Sequence, residues 1–295
     1  MELSVMIAAH KDEEGLYLTT FAAIQQLEKT NLNWEIVIAA DAGTPAKWEQ
    51  THKSVRVLRL TGGNRTGSPQ GTRDAGIRAA QHKNVMCLDS HVIVSDMERW
   101  VEIHEKIGAT ISFPAMIGTG DEMFKIYGNQ MDFDSCFWNV QTYPEPASWE
   151  PFKVCQCAHS GFMVDRNFYL ESGGYTLEQK GYGGEEPWLA LLTWMLGKEV
   201  WFIPTVSHAH YMPPSRNDGA GQKEDFARNF MIAAFVIGGQ EYLDKIQKFF
   251  SWAKPLIKNS EIIHRREMVC AGPFKGDLNL LREHFKKTNV VGGCN

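Results

Sequence analysis

The sequence contains no apolar run long enough to cross a bilayer as a helix. No membrane-spanning segment is expected, and the location expected is cytoplasmic, in a bacterial cell or a virus-infected host. The opening stretch, MELSVMIAAHKDEE, lacks the marks of a secretory leader. An acid precedes its short apolar core, and there is neither a basic start nor a small-residue cleavage site. It reads as a first strand. Cysteine is sparse, at 87, 136, 155, 157, 270 and 294, and only Cys155 and Cys157 are close neighbours. That spacing makes no zinc knuckle, so six reduced thiols are expected. Internal repeats, low-complexity tracts and long linkers are missing too. Nor does one sign of charge dominate. Thirty Lys and Arg face 35 Asp and Glu, a net of −5, which does not advertise a nucleic-acid binder. The exception is local: between Lys254 and Lys287, eight basic residues stand against four acids.

What is present is an alternation of strand-like and helix-like patterns. LSVMIAA (3–9), WEIVIAAD (34–41), VRVLRL (55–60) and VMCLD (85–89) have strand length and apolar content. Helical spacing separates them at 15–30 and 71–82. This order predicts an α/β fold, a mainly parallel sheet flanked by helices. Ligands in such sheets gather beyond the carboxyl ends of the strands. Three polar clusters fall there: His10 to Glu14, Asp41, and Asp89-Ser90-His91. The middle, 110–160, is irregular and rich in aromatics and prolines. Residues 159–175 read as a strand and a short helix starting near Asp165. Residues 181–204 read as a Gly-rich loop, a helix headed by Glu185, Glu186 and Pro187, and a strand. Residues 207–224 read as a loop that begins with two histidines, and 225–287 as mostly helical.

Asp89 and His91 carry the clearest chemistry. In an extended segment, residues i and i+2 point to the same side. A carboxylate oxygen and a neutral imidazole nitrogen together suit a borderline divalent cation such as Mn²⁺. A lone Asp-x-His is common by chance; its position after a buried fourth strand gives it weight.

These motifs, taken in order, resemble a family. SVMIAAHKDEE, Asp41 after the second strand, GTRDAGIRAA, LDSH, SGFMVDRNFYLESGGY, YGGEE and VSHAHY are together similar to the GT-A glycosyltransferases. Among these, the resemblance is to the polypeptide N-acetylgalactosaminyltransferase catalytic domain and its family-2-like relatives. It runs from about residue 3 to 212. It implies a GT-A domain over 1–222, with 223–295 a helical extension packed on it. It implies a UDP-sugar donor and Mn²⁺ (or Mg²⁺). The metal ligands implied are Asp89, His91 and a late histidine, His210 by spacing with His208 as rival. His10, Asp41, Arg73, Asp89, Ser90 and Gly184 are implied to lie against the nucleotide sugar, with Asp41 at the uracil.

Glu185 and Glu186 are the candidate catalytic acids. Glu186 stands where inverting relatives keep a base, whereas Asp-x-His with Gly-Gly-Glu favours the retaining group; the bland alternative is that both acids only complement a helix N-terminus. The sequence departs from the family in having one acid at 41 and a tyrosine at 182. Arg216 is the only nearby basic residue after the last histidine. Trp138, Tyr143 and Trp149 are candidates for an acceptor cleft, and the loop 212–222 for a lid. The acceptor expected first is a hydroxymethylated base in DNA, as some viral glycosyltransferases modify. The reasons are the basic stretch at 254–287 and Arg65, Arg73, Arg78 and Lys83 in 64–83. A polypeptide Ser/Thr, a polysaccharide, and a non-catalytic sugar-nucleotide-binding module are the alternatives.

Overall fold

The computed structural model describes residues 1–10, 13–41, 52–61, 68–119, 124–127, 129–131, 133, 140–142, 146, 148–156, 160–211, 222–254, 257, 259–288 and 290. In the first half, β1 (Glu2–Ala9), α1 (Glu13–Leu27), β2 (Asn33–Ala40), β3 (Val55–Arg59), α2 (Pro69–Ala79), β4 (Asn84–Asp89), β5 (Val92–Val94) and α3 (Met97–Lys106) follow one another. Then come β6 (Ile111–Thr119), β7 (Phe124–Ile126), β8 (Asn129–Met131), β9 (Val140–Thr142), β10 (Phe152–Lys153) and β11 (Gly161–Asp165). The chain continues through α4 (Arg166–Ser172), α5 (Glu185–Met195), β12 (Val200–Tyr211), α6 (Gln222–Phe249), α7 (Ser260–Ala271) and α8 (Leu278–Thr288).

The architecture is the expected α/β one. Its main sheet runs β10-β12-β6-β11-β4-β1-β2-β3, with β5 on β12 and β7 on β6. Strands β4, β1, β2 and β3 are parallel. Beyond them the sheet is mixed, because β11 runs antiparallel to both β4 and β6. The near-continuous apolar runs of β1, β2 and β4 are those of strands covered on both faces. One core joins the sheet to α2, α4, α5 and the C-terminal helices. A second joins its other face to α1 and α3.

Two parts of the chain differ from their sequence pattern. The first is residues 111–119, expected as irregular, which form β6 inside the sheet. Pro114 hides it, since a proline argues against a central strand. Register slips beside it: Ile203 pairs with Pro114, but Ser207 already pairs with Ala115. Neither Pro114 nor Pro204 has an N–H for the ladder, and β12 bulges there. The second is residues 207–211, expected as loop, which continue β12. Near the C-terminus, Gly239 breaks α6 with φ 76°. Arg266 donates to the Val236 and Ile237 carbonyls beside this kink. Cys87, Cys155 and Cys270 are free thiols; Cys136, Cys157 and Cys294 lie outside the described residues.

One core histidine ties α3 to β6. Trp100 Nε1 donates to Ser112 Oγ at 2.8 Å, and Ser112 Oγ lies 2.7 Å from His104 Nδ1. The indole can only donate, which leaves the hydroxyl proton for a neutral imidazole. Burial lowers the His104 pKa to about 4, with Asp165 opposing. The unfolded chain therefore holds the extra proton between pH 4 and 6.5. His104 contributes stability that is full above about pH 6.5 and lost as pH falls through that window, at most about 3 kcal/mol. Urea unfolding at several pH values checks this. Wild type should lose more stability than His104→Gln between pH 7 and pH 4.5; parallel curves would contradict it.

Candidate active site

The site forms where β1, β2 and β4 end beside the late strand β12. His10 and Asp41 follow neighbouring parallel strands, and His10 Nδ1 lies 2.9 Å from Asp41 Oδ2. Asp41 is buried while the His10 side chain is half exposed. Asp89 is the last residue of β4, and the turn Ser90-His91 leads into β5. Thr19 of α1 ties this turn down, donating to the Ser90 carbonyl and accepting from Val92 N–H.

Strand β12 supplies the third corner. It pairs antiparallel with β5, setting His210 opposite Val92, and Tyr211 N–H donates to the His91 carbonyl at 3.0 Å. The two imidazoles then stack, ring centroids 4.9 Å apart, with Nε2 facing Nε2 at 3.0 Å. Ligand atoms of Asp89, His91 and His210 all lie within 4.8 Å of one another. His208 shares the buried face of β12 but is not in this group. Its Nε2 lies 2.8 Å from Ser160 Oγ, and burial, aided by His210, drops its pKa to about 3. Of the two histidines, His210 is the one whose ring nitrogen falls in the group with Asp89 and His91.

The donor set fits a divalent ion. Two nitrogens 3.0 Å apart are spaced as neighbouring ligands of one ion are when each bond is about 2.1 Å. Without an ion, one imidazole must donate to the other. A carboxylate with two imidazoles suits manganese or a similar borderline cation.

Arg73 organises the floor. Helix α2 starts at an N-cap, Ser68, whose hydroxyl accepts from Gly71 N–H, followed by Pro69. The helix is buried along Gln70–Ile77, polar residues included. The Arg73 side chain is 6% exposed; its Nη2 donates to Asp89 Oδ1 at 2.6 Å, and Nη1 lies 3.7 Å from Glu185 Oε1. Burial, the largest single effect, works against the guanidinium charge, but Asp89, Tyr175 and Glu185 together outweigh it and the net shift is upward. Burial also works to raise the Asp89 carboxyl; Arg73, His91 and His210 together hold it below the usual range.

Glu185 sits at the first turn of α5 and accepts from Gln70 Nε2 at 2.9 Å. Burial raises its pKa, with Arg73 opposing. Glu186 is raised to about 8, by burial first and by the neighbouring Glu185 charge second. Gly184 is the N-cap residue, with φ 79° and no side-chain cap. Backbone N–H groups of this loop–helix junction also bond to both carboxylates, and Glu185 in addition faces Gln70 and Arg73.

The sequence singled out neither Gln70 nor, within SGFMVDRNFYLESGGY, Ser160 as a site residue. Gln70 stands three residues before Arg73 on one helix, so its place on the same face was readable; nothing local marks Ser160. Trp149 is exposed. Arg65, Trp138, Tyr143, Arg216 and the loop residues 212–221 lie outside the described residues.

Residues 4–172 match the Glycosyl transferase family 2 domain, so the chain belongs to that family. It is 30% identical over 200 residues to N-acetylgalactosaminyltransferase 6 of Drosophila melanogaster, covering 62% of this chain and 29% of that protein. It is 24% identical over 254 residues to the putative polypeptide N-acetylgalactosaminyltransferase 13 of the same fly, covering 75% and 44%. The chain thus spans less than half the length of either relative. Its fold superposes on GalNAc-T7, crystallised with UDP, GalNAc and Mn²⁺, with TM-score 0.78 at 18% identity over 98% of this chain and 58% of that one. Against S. aureus TarS 1–349 in complex with UDP-GlcNAc the TM-score is 0.58 at 12% identity, over 99% and 89%. The fold is GT-A.

Removing the shared cation should expose its cost. Arg73→Met leaves Asp89 and Glu185 buried without a counter-charge and should lower unfolding free energy by about 3–5 kcal/mol. Chemical denaturation at neutral pH measures it. A loss below about 1 kcal/mol, the worth of a surface pair, would contradict the arrangement.

Proposed function

We propose that the chain transfers a sugar from a UDP-sugar donor to a hydroxyl acceptor, using a divalent ion, Mn²⁺ or Mg²⁺, held by Asp89, His91 and His210. The convergence of these three side chains carries the reading. When bound, the ion supplies Lewis-acid stabilisation to the charge that develops on the leaving diphosphate. Arg73 keeps Asp89 ionised and directed at that position. Asp41, paired with His10, accepts from the uracil N3–H, while Ser90 and Gly184 lie along the nucleotide sugar. Glu185 contacts the donor sugar or the acceptor. Glu186 removes the acceptor proton if the transfer inverts. Residues 1–222 act as the GT-A unit and 223–295 as a helical extension against it.

The acceptor proposed from the sequence is a hydroxymethylated base in DNA. Its support narrows in the fold, where several of the basic residues are spent internally. Arg265 is buried and donates to the Ser172 and Gly173 carbonyls. Arg266 serves the α6 kink, and Arg78 pairs with Asp74 and donates to Gly173 O. The exposed cations of 254–287 among the described residues are Lys254, Lys275, Lys286 and Lys287. The names of the fly relatives favour a polypeptide Ser/Thr acceptor. Acceptor KM measured against salt separates the two, because a DNA acceptor is held by counterion release and weakens steeply as salt rises.

Three measurements test the metal, the nucleotide contact and the acid. His210→Ala should cut manganese-dependent UDP-sugar turnover about 100-fold or more; full turnover would refute the third ligand. UDP should bind more tightly than CDP in calorimetry, since cytosine offers an unprotonated acceptor at N3, and equal affinities would contradict the Asp41 role. If Glu186 is the base, kcat should rise with pH through about 8, because only its ionised form accepts a proton. A profile unchanged in Glu186→Gln would leave that acid as a helix-end charge alone. Tight UDP-sugar binding without turnover on any acceptor would favour the binding-module alternative.

A further inference from the structure

The loop that delivers Glu185 is shaped by the C-terminal extension and not only by the GT-A unit. Gly183 and Gly184 take φ values of 101° and 79°, a region that disfavours side chains. A Cβ at Gly183 would fall 2.1 Å from the Phe226 ring, and one at Gly184 would fall 3.1 Å from Asn229 Cβ. Both neighbours belong to the first turns of α6. Asn229 is fully buried. Its Nδ2 donates to the Lys180 carbonyl at 2.7 Å and to the Gly183 carbonyl at 3.0 Å, and its Oδ1 accepts from Lys180 N–H at 3.1 Å. The amide thus bridges both ends of the 180–183 turn as a backbone partner would.

The Gly183 carbonyl is a junction. It also accepts from Gln70 Nε2 at 2.8 Å, the same nitrogen that donates to Glu185 Oε2 at 2.9 Å. Moving Gly183 therefore moves the donor that fixes the Glu185 carboxylate. Gln70 and Arg73 share one face of α2, so the chain of contacts runs from α6 through Gly183 and Gln70 to the acid beside the Arg73–Asp89 pair. The chain reaches the metal cluster only through Arg73 and Asp89; the backbone positions of Asp89, His91 and His210 are set by β4, β5 and β12.

We propose that Asn229 is a positioning residue for Glu185, by which α6 sets the acid loop of the transfer site. The inference rests on the proposed UDP-sugar reaction. It has a distinctive consequence. Disturbing Asn229 should impair handling of the sugar half of the donor and leave the metal-dependent hold on UDP intact.

The test uses the full chain and a panel of UDP-sugars. UDP release by donor hydrolysis is the readout, since water can stand as acceptor. Asn229→Asp keeps the side-chain volume and the Oδ1 acceptor but removes both Nδ2 donations. Asn229→Ser, which adds no charge to the core, is the parallel variant. For either variant that folds, kcat should fall at least about tenfold, while Mn²⁺-dependent affinity for UDP in calorimetry stays within about twofold. Wild-type kcat in a folded variant would overturn the proposal. So would a parallel loss of UDP affinity, UDP-sugar turnover and thermal stability, which would mark Asn229 as support for the fold alone. A wild-type protein that binds no UDP with Mn²⁺ would instead sink the underlying reaction, a result distinct from either.

Discussion

One buried cation holds the site together. Arg73 has almost no exposure and stands between Asp89, which ends β4, and Glu185, which begins α5. Those acids lie far apart in sequence and meet at this one side chain. Without the guanidinium, burial would favour their neutral forms. With it, the Asp89 carboxyl is held below the usual range beside His91 and His210, and Glu185 is paired with the same guanidinium. The buried α2 helix exists in this form to carry that charge. Its polar residues Gln70, Thr72, Arg73 and Asp74 are all interior, and buried polar groups need hydrogen-bond partners.

The surroundings extend the same logic. Asp74 takes Arg78 and the Tyr169 hydroxyl, and Gln70 takes the Gly183 carbonyl and Glu185. On the other flank, His208 is kept neutral by burial against Ser160, while His210, two residues on, faces His91. Alternation along β12 puts both histidines on its buried face and does not separate the core partner from the candidate ligand. Both lie on the same face, so the neighbouring strand decides: β11 brings Ser160 to one, and the β4–β5 turn brings His91 to the other.

Much of this was legible in the sequence, for identifiable reasons. The apolar runs of β1, β2 and β4, with a polar residue at each end, already located the edge where His10, Asp41 and Asp89 appear. The Gly-Gly-Glu-Glu-Pro stretch read correctly as a loop turning into α5. The end of β12 did not, because Val206, His208 and His210 keep a two-residue period while two of the inward residues are histidines. A strand that buries imidazoles looks polar to any hydropathy pattern. Strand β6 was hidden by Pro114. The arginines of α7 looked like a basic surface, yet Arg265 and Arg266 are spent on backbone carbonyls, a pairing that only tertiary structure supplies. Asn229 carries no local signal at all, since its partners Lys180 and Gly183 lie 49 and 46 residues earlier in the chain.

The central claim is that Asp89, His91 and His210 form one metal site that closes around a nucleotide diphosphate. Pulsed electron paramagnetic resonance of bound Mn²⁺ in the presence of UDP tests it most directly, because the spectrum reports imidazole nitrogens attached to the ion. The account predicts two such nitrogens in the wild type, one in His91→Ala, one in His210→Ala and two in a folded His208→Ala. A wild-type spectrum without imidazole coupling, or one that loses a nitrogen only when His208 is removed, would contradict it.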